Sequence, residues 1–320
     1  MDSLYIVGNG FDLHHGLNTR YSSFGLYLQE HYGTTYDQLL EYFGLPHISK
    51  YDENIDPLWS DFEHSLSLLD VDMVFDAHSD SLANPGSPDF RDRDWNTFAI
   101  DMEMVVGSLT TNLIKAFREF ISKINYSMIP SRKRLSLNAH ALYLSFNYTD
   151  TLEGYYGISK NQITYIHGKA VNDDEIILGH GIDPDNFKKE PPKSPAGVSD
   201  EEIELWEEQM NDQYDYSQEL GKDALQEYFS SSFKDTQAVI NEHVEFFDSI
   251  KDIGQVFILG HSLSDVDLTY FEKVISSITI TPAFTVSYFG DDERVSHTEA
   301  LCRLGVQERK ISMINIEEMV

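Results

Sequence analysis

The chain has 320 residues, 41% of them hydrophobic and 12% aromatic, enough to bury a core as one large α/β domain with insertions or as two modest domains. A formal net charge of −31, from 54 Asp and Glu against 23 Lys and Arg, repels nucleic acid and argues against direct nucleic-acid reading unless a partner supplies positive charge. No apolar run approaches the roughly 20 residues that span a bilayer, the first strand begins without a basic segment or apolar signal core, and Cys302 stands alone; these predict a cytoplasmic protein, off the membrane, with no internal disulfide and no zinc site built from Cys alone.

Residues 4–7 form a short apolar run that reads as a buried strand. Gly8-Asn9-Gly10 then permits positive φ and close backbone approach, and residues 13–32 carry apolar side chains at roughly helical spacing. Strand, glycine turn and helix together point unpaired backbone N–H groups at whatever sits above the strand end, which suits a phosphate. The spacing departs from the dinucleotide fingerprint, because Leu13 stands where the third glycine belongs and the next glycine is Gly16. A tight βα turn of any α/β protein is the plainer alternative.

The next strand-like run is 141–146. The stretch before it has helical periodicity over 62–75 and 95–124, broken by Asn-Pro-Gly-Ser-Pro at 84–88, and predicts a largely helical insertion over 33–138. Asn147-Tyr148-Thr149-Asp150 falls at the carboxyl end of the run, with helix-like sequence over 151–156. Asn147 can orient a ribose hydroxyl or a water without changing charge; an Asx-turn, with Asp150 capping the next helix, is the alternative. After a strand-like run at 163–166 comes His167-Gly168, either a proton acceptor near neutral pH or a loop His beside a capping glycine. A further strand is expected at 176–178, followed by His180 and Asp183. These two resemble metal ligands, but no His-Glu-x-x-His or Cys pairing accompanies them, so no metal is expected.

Residues 183–251 predict a second helical insertion, acidic, opened by a Ser199/Glu202 capping box. Trp206, Tyr214, Tyr216, Tyr228 and Phe229 are interspersed in it; they read either as packing or as a lid or assembly surface. The strand-like run 255–259 leads into Gly260-His261-Ser262-Leu263-Ser264. This resembles a nucleophile elbow, with Asp291 and His297 following in hydrolase order, although Ser264 replaces the glycine such an elbow needs. The alternative is that Gly260, Ser262 and the helix start close around a nucleotide, with Asp265 and Asp267 as first-turn acids or ribose contacts. The last expected strand is 284–289. The predicted architecture is therefore one α/β domain over 1–320, a parallel Rossmann-like sheet carrying two largely helical insertions, with its chemistry at the strand ends.

In chain order, "GNGFDLHHGLNTRYSSF" from Gly8, "WSDFEHSL" from Trp59, "FNYTDTLE" from Phe146, "IHG" from Ile166, "LGHG" from Leu178 and "LGHSLSDVDLTYF" from Leu259 resemble the AbiH family of bacterial phage abortive-infection proteins. At one remove the same pieces are similar to Sir2-like NAD-consuming domains. The resemblance implies a Sir2-like core and an anti-phage effector that hydrolyses NAD, its substrate, at the nicotinamide N-glycosidic bond. It implies Asn147 and His167 as catalytic residues, Asn147 orienting ribose and water and His167 taking a proton. It implies that Gly8, Asn9, Gly10, Phe11, Asp12, Thr19, Arg20, Asp150, Gly260, Ser262 and Asp265 surround the nucleotide. Two departures matter. Thr149 stands where the Sir2-like pattern has Asp, with Asp150 adjacent, and the zinc-binding cysteines of protein deacetylases are absent, which leaves lysine deacetylation the least supported activity. A second expectation is a non-catalytic nucleotide-binding sensor or adaptor in a phage-defence complex, assembled as a homo-oligomer or with a partner protein through the acidic insertion. A Ser hydrolase is a distant third.

Overall fold

Six parallel strands form one sheet: β1 (Ser3–Val7), β2 (Leu142–Ser145), β3 (Ile163–Tyr165), β4 (Gln255–Leu259), β5 (Ala283–Tyr288) and β6 (Ile311–Asn315), in the order β3-β2-β1-β4-β5-β6. The computed structural model describes residues 2–50, 56–171, 175–188, 193–195, 197, 199–212 and 214–319. Every residue of β1 is buried. Leu4 and Ile6 enter the apolar cluster on one face, Tyr5 and Val7 the cluster on the other, as alternating side chains of a doubly covered central strand must. The chain leaves β1 toward β2 and β3 on one side and returns to β4 on the other. The connections therefore diverge above the carboxyl ends of β1 and β4, where a crevice opens.

The helical segments between β1 and β2 share a core with the helix Tyr216–Ser231 from the second insertion. A Cβ at Gly221 would meet the Phe98 ring at 2.2 Å, so glycine is what lets this helix touch the helix Thr97–Gly107. Tyr228 and Phe229 are buried in this core, and the Tyr228 hydroxyl donates to Leu66 O at 2.7 Å. Neither belongs to an assembly surface. Trp206 is half-buried, whereas Tyr214 and Tyr216 are exposed. The expected capping box forms at the helix Asp200–Asp212, the Glu202 carboxylate accepting from the Ser199 N–H at 2.9 Å and the Glu202 N–H donating to Ser199 Oγ at 3.4 Å.

Four expectations are corrected. Residues 176–178 form no strand; the Ile177 N–H donates to His167 O at 2.9 Å, and Ile176 and Leu178 pack into the helical core. The sixth strand is β6, whose mostly half-buried residues lack the continuous apolar run that marks a central strand. The helix expected over 13–32 is two helices, Asn9–His14 and Tyr21–His31, parted where Gly16 takes φ +81°. The helical run over 62–75 likewise divides, into Phe62–Ser65 and Val71–Ala77, the second capped by Asp70 accepting from the Met73 N–H. Among the described residues no helix is long and apolar enough to cross a membrane.

Candidate active site

The turns after β1 and β4 interlock backbone to backbone. The Gly8 N–H donates to Leu259 O at 3.0 Å, the Gly10 N–H to Gly260 O at 2.7 Å, and the Phe11 N–H to Gly8 O at 2.9 Å. A Cβ on Gly8 would lie 2.7 Å from His261 Cα, and one on Gly260, which holds φ +61°, would lie 2.0 Å from Phe11 N. The glycines are thus required by this close approach. The N–H groups of Gly8, Gly10 and Phe11 are engaged within the protein, unlike the unpaired donors expected from the turn pattern.

Above the interlocked turns lies a cleft of about 860 Å³, within the range of small-molecule sites. Gly8, Asn9, Gly10, Asp12, Thr19, Arg20, Asn147, His167, Gly260 and Ser262 all line it. Asn147 and His167 extend just past the carboxyl ends of the paired strands β2 and β3, both nearly enclosed. Asn9 and Thr19 hold one another, the Thr19 hydroxyl donating to Asn9 Oδ1 and the Asn9 side-chain amide to Thr19 O at 3.3 Å. Arg20 is exposed at the rim and carries no ion pair among the described residues. Three expected residues lie elsewhere: Phe11 is buried beneath the cleft against His15 and Tyr156, the Asp150 carboxylate accepts from the Tyr126 hydroxyl, and Asp265 is exposed outside the lining.

Asp12 sits on the floor, fully buried. Its Oδ2 accepts from Thr149 Oγ1 at 2.6 Å and its Oδ1 from Thr151 Oγ1 at 2.7 Å, the two hydroxyls standing 3.0 Å apart. Burial pushes the carboxyl up to about 6, against the pull of the two threonine hydrogen bonds.

The opposite wall holds an ionic cluster. Lys234, with its side chain wholly enclosed, donates to Glu63 Oε2 at 3.0 Å and to Asp267 Oδ1 at 2.9 Å. Glu63 Oε1 accepts from the Tyr21 hydroxyl at 2.6 Å and the Tyr148 hydroxyl at 3.2 Å. Asp267 also faces two imidazoles, Oδ1 at 3.8 Å from His167 Nε2 and Oδ2 at 3.5 Å from His261 Nε2. Burial, then the Lys234 charge, holds both imidazoles below the ordinary histidine range, His261 down to about 3. Both are neutral at pH 7. Against Lys234 itself, burial is outweighed by Glu63 and Asp267, so its ammonium is held above the usual lysine range.

Short glycine motifs position this wall. Gly168 holds φ +72°, and a Cβ there would lie 1.8 Å from Glu175 O, so "IHG" turns tightly against the chain that follows. In "LGHG", a Cβ on Gly179 would lie 1.9 Å from Ser232 O, the His180 N–H donates to that same oxygen at 2.9 Å, and His180 O accepts from the Lys234 N–H at 2.8 Å. His180 is therefore the clamp that presents Lys234.

The serine-hydrolase constellation does not assemble. Ser262 and His297 line the cleft, but Asp291 is exposed at a helix start, and His297 meets the backbone of Ser262 and Ser287, not the Ser262 hydroxyl. No group of three or more His, Cys, Asp or Glu among the described residues is arranged to hold a metal ion. Between His167, His261, Glu63 and Asp267 the cation is the Lys234 ammonium. Glu63, Lys234, Tyr21 and Tyr148 were not expected from the sequence. The one local trace is that Glu63 falls within "WSDFEHSL", one of the segments that carry the family resemblance.

Compared with curated proteins and with solved structures, the chain matches none. A family model described as Bacteriophage abortive infection AbiH matches residues 4–289, a span that runs from β1 to just past β5 and takes in both walls of the cleft. The chain belongs to the AbiH family.

Proposed function

We propose that this protein is an abortive-infection effector that hydrolyses NAD at the nicotinamide N-glycosidic bond. The observation that carries the reading is the convergence of Asn147 and His167, from adjacent parallel strands, on one cleft with the Gly8–Gly10 and Gly260 turns. The strand order is that of doubly wound dinucleotide-binding sheets, and the cleft sits at their switch point. Family membership supports the anti-phage context. A Sir2-like likeness is supported further by Asp12. The carboxylate missing at Thr149 reaches the same neighbourhood from the helix Asn9–His14 after β1, through Thr149 and Thr151.

The chemistry asks little of the protein. Nicotinamide leaves from a cationic ring, so its departure requires no acid, and the transition state resembles an oxocarbenium ion. Asn147 orients the ribose and the water. His167, neutral and with Nε2 unbonded, takes the proton of the attacking water as the oxygen adds to the ribose carbon and the C–N pair leaves with nicotinamide. NAD and water give ADP-ribose, nicotinamide and a proton. Enclosure of the cleft excludes competing solvent.

A nucleotide-binding sensor without turnover is the second reading. It is favoured by the near-complete enclosure of His167, only 2% exposed. Nicotinamide release from NAD by the purified chain separates the two. Turnover that falls about 10²–10⁴-fold in Asn147→Asp and His167→Gln, with melting temperatures near wild type, supports the enzyme. NAD binding without release supports the sensor, and neither binding nor release removes both.

A further inference from the structure

One feature of the ionic wall is not explained by packing. His167 uses one ring nitrogen in a backbone hydrogen bond with Phe146, while Nε2 is buried and has no hydrogen-bond partner. It faces Asp267 Oδ1 at 3.8 Å. An unprotonated imidazole nitrogen and a carboxylate oxygen each offer only a lone pair, and an unmatched buried acceptor is costly. What is missing between them is a proton. The charge count agrees, because Lys234 supplies one positive charge and Glu63 and Asp267 two negative ones.

The geometry points to Asp267 as the positioning residue of His167: the carboxylate, anchored by Lys234, receives the imidazolium that forms when Nε2 takes a proton, and Lys234 keeps that imidazole free beforehand. The inference rests on the reading of His167 as proton acceptor and adds how its charge is held. In the step, an O–H bond of water breaks and an N–H bond forms at Nε2. The new N–H turns to Asp267 Oδ1, and the proton later returns to solvent. The groups facing His167 from every side enter the balance: Lys234, His261 and His243 oppose its protonation, Asp267 favours it, and the Tyr148 and Tyr270 rings pack on it without charge. Glu63 acts through Lys234.

The test uses the imidazole itself, so it does not depend on NAD being the substrate. In the full chain labelled with ¹⁵N-histidine, the His167 signal is identified by its loss in His167→Gln and titrated without ligand. Lys234→Met removes the opposing ammonium and is expected to raise the His167 pKa by about one unit or more. Asp267→Asn places an N–H opposite Nε2 and is expected to hold His167 unprotonated to lower pH than in wild type, whereas Lys234→Arg is expected to titrate like wild type. Opposite shifts from Lys234→Met and Asp267→Asn support the inference; no shift, or shifts of the same sign, overturn it. If Lys234→Met does not fold, Asp267→Asn decides alone, an unchanged or raised pKa being the overturning result. Where wild type releases nicotinamide, Asp267→Asn is expected to lower kcat about 10²-fold or more with KM within about two-fold. Failure of NAD turnover with the titration shifts intact would remove the proposed substrate and leave the dyad standing.

Discussion

Two carboxylates line the cleft and are held by opposite means. Asp12 is fully enclosed and bonded to neutral groups, the hydroxyls of Thr149 and Thr151 and the Asn147 side chain. Asp267 is held by an ammonium 2.9 Å away. Hydroxyls satisfy a carboxylate's lone pairs without cancelling its charge, so burial still pushes the Asp12 carboxyl up to about 6. An ammonium cancels charge, and its own loss then becomes expensive. One side of the site can change protonation near neutrality; on the other, Glu63 and Asp267 hold the Lys234 ammonium above the usual lysine range.

The largest test of that contrast is deletion of the ammonium. Lys234→Met leaves the half-buried Glu63 and Asp267 carboxylates without their cation, and is expected to cost about 3–5 kcal/mol in urea unfolding. Asp12→Asn keeps the shape, and a threonine hydroxyl can rotate to accept from the new amide, so its cost should stay near 1 kcal/mol. Neutralising both carboxylates along with the lysine, as Lys234→Met with Glu63→Gln and Asp267→Asn, should recover much of the loss. Equal costs for the two single variants would erase the distinction between hydroxyl-held and ammonium-held acids.

The pH dependence of stability sharpens the same comparison, because the two sides have opposite signs. Asp12 has a folded pKa raised from 3.8 to about 6. The folded state therefore binds the extra proton, and stability rises as pH falls through about 6 toward 3.8. His261, lowered from 6.5 to about 3, works the other way. The unfolded chain takes its proton first, and stability is lost as pH falls below 6.5. Asp12→Asn deletes only the first contribution. Its unfolding free energy should fall more steeply with acid than that of wild type, by about 1 kcal/mol between pH 7 and pH 5. Parallel curves would show that Asp12 titrates in the fold as it does in the unfolded chain.

The same contrast separates what could be read from the sequence from what could not. Asn147 and His167 sit just after strands and Asp12 in the first helix turn after one, and a strand end followed by a glycine, Asx or His-Gly turn is a local pattern that one short window contains. Glu63 and Lys234 meet across 171 positions of sequence, and nothing local marks a lysine that will be buried. The "LGHG" segment showed the limit in another way. His180 resembles a metal ligand in sequence, a reading set aside for want of a partner motif; in the fold Gly179 permits a backbone approach and His180 holds the backbone of Lys234. The sheet behaved similarly. β1 and β4 carry largely buried apolar runs that are legible in sequence, whereas half-buried β6 carries none, and the apolar 176–178 packs as core loop instead of strand.

The smallest expected effect probes the hydroxyl side alone. Thr149→Val preserves the branched shape and removes one of the two hydroxyls that Asp12 accepts from. Thr151 keeps its own bond to Oδ1, so the carboxyl is half-satisfied and not orphaned. A cost near 1 kcal/mol follows, together with a further rise of the Asp12 pKa, since a hydrogen bond that favours the charged form is gone. The rise should appear as extra stabilisation on acidification beginning at higher pH than in wild type. Thr149→Ser restores the hydroxyl and should restore both readouts. If Thr149→Val instead costs as much as Lys234→Met, the hydroxyl pair is holding charge as firmly as an ammonium does, and the two walls of the cleft are electrostatically alike.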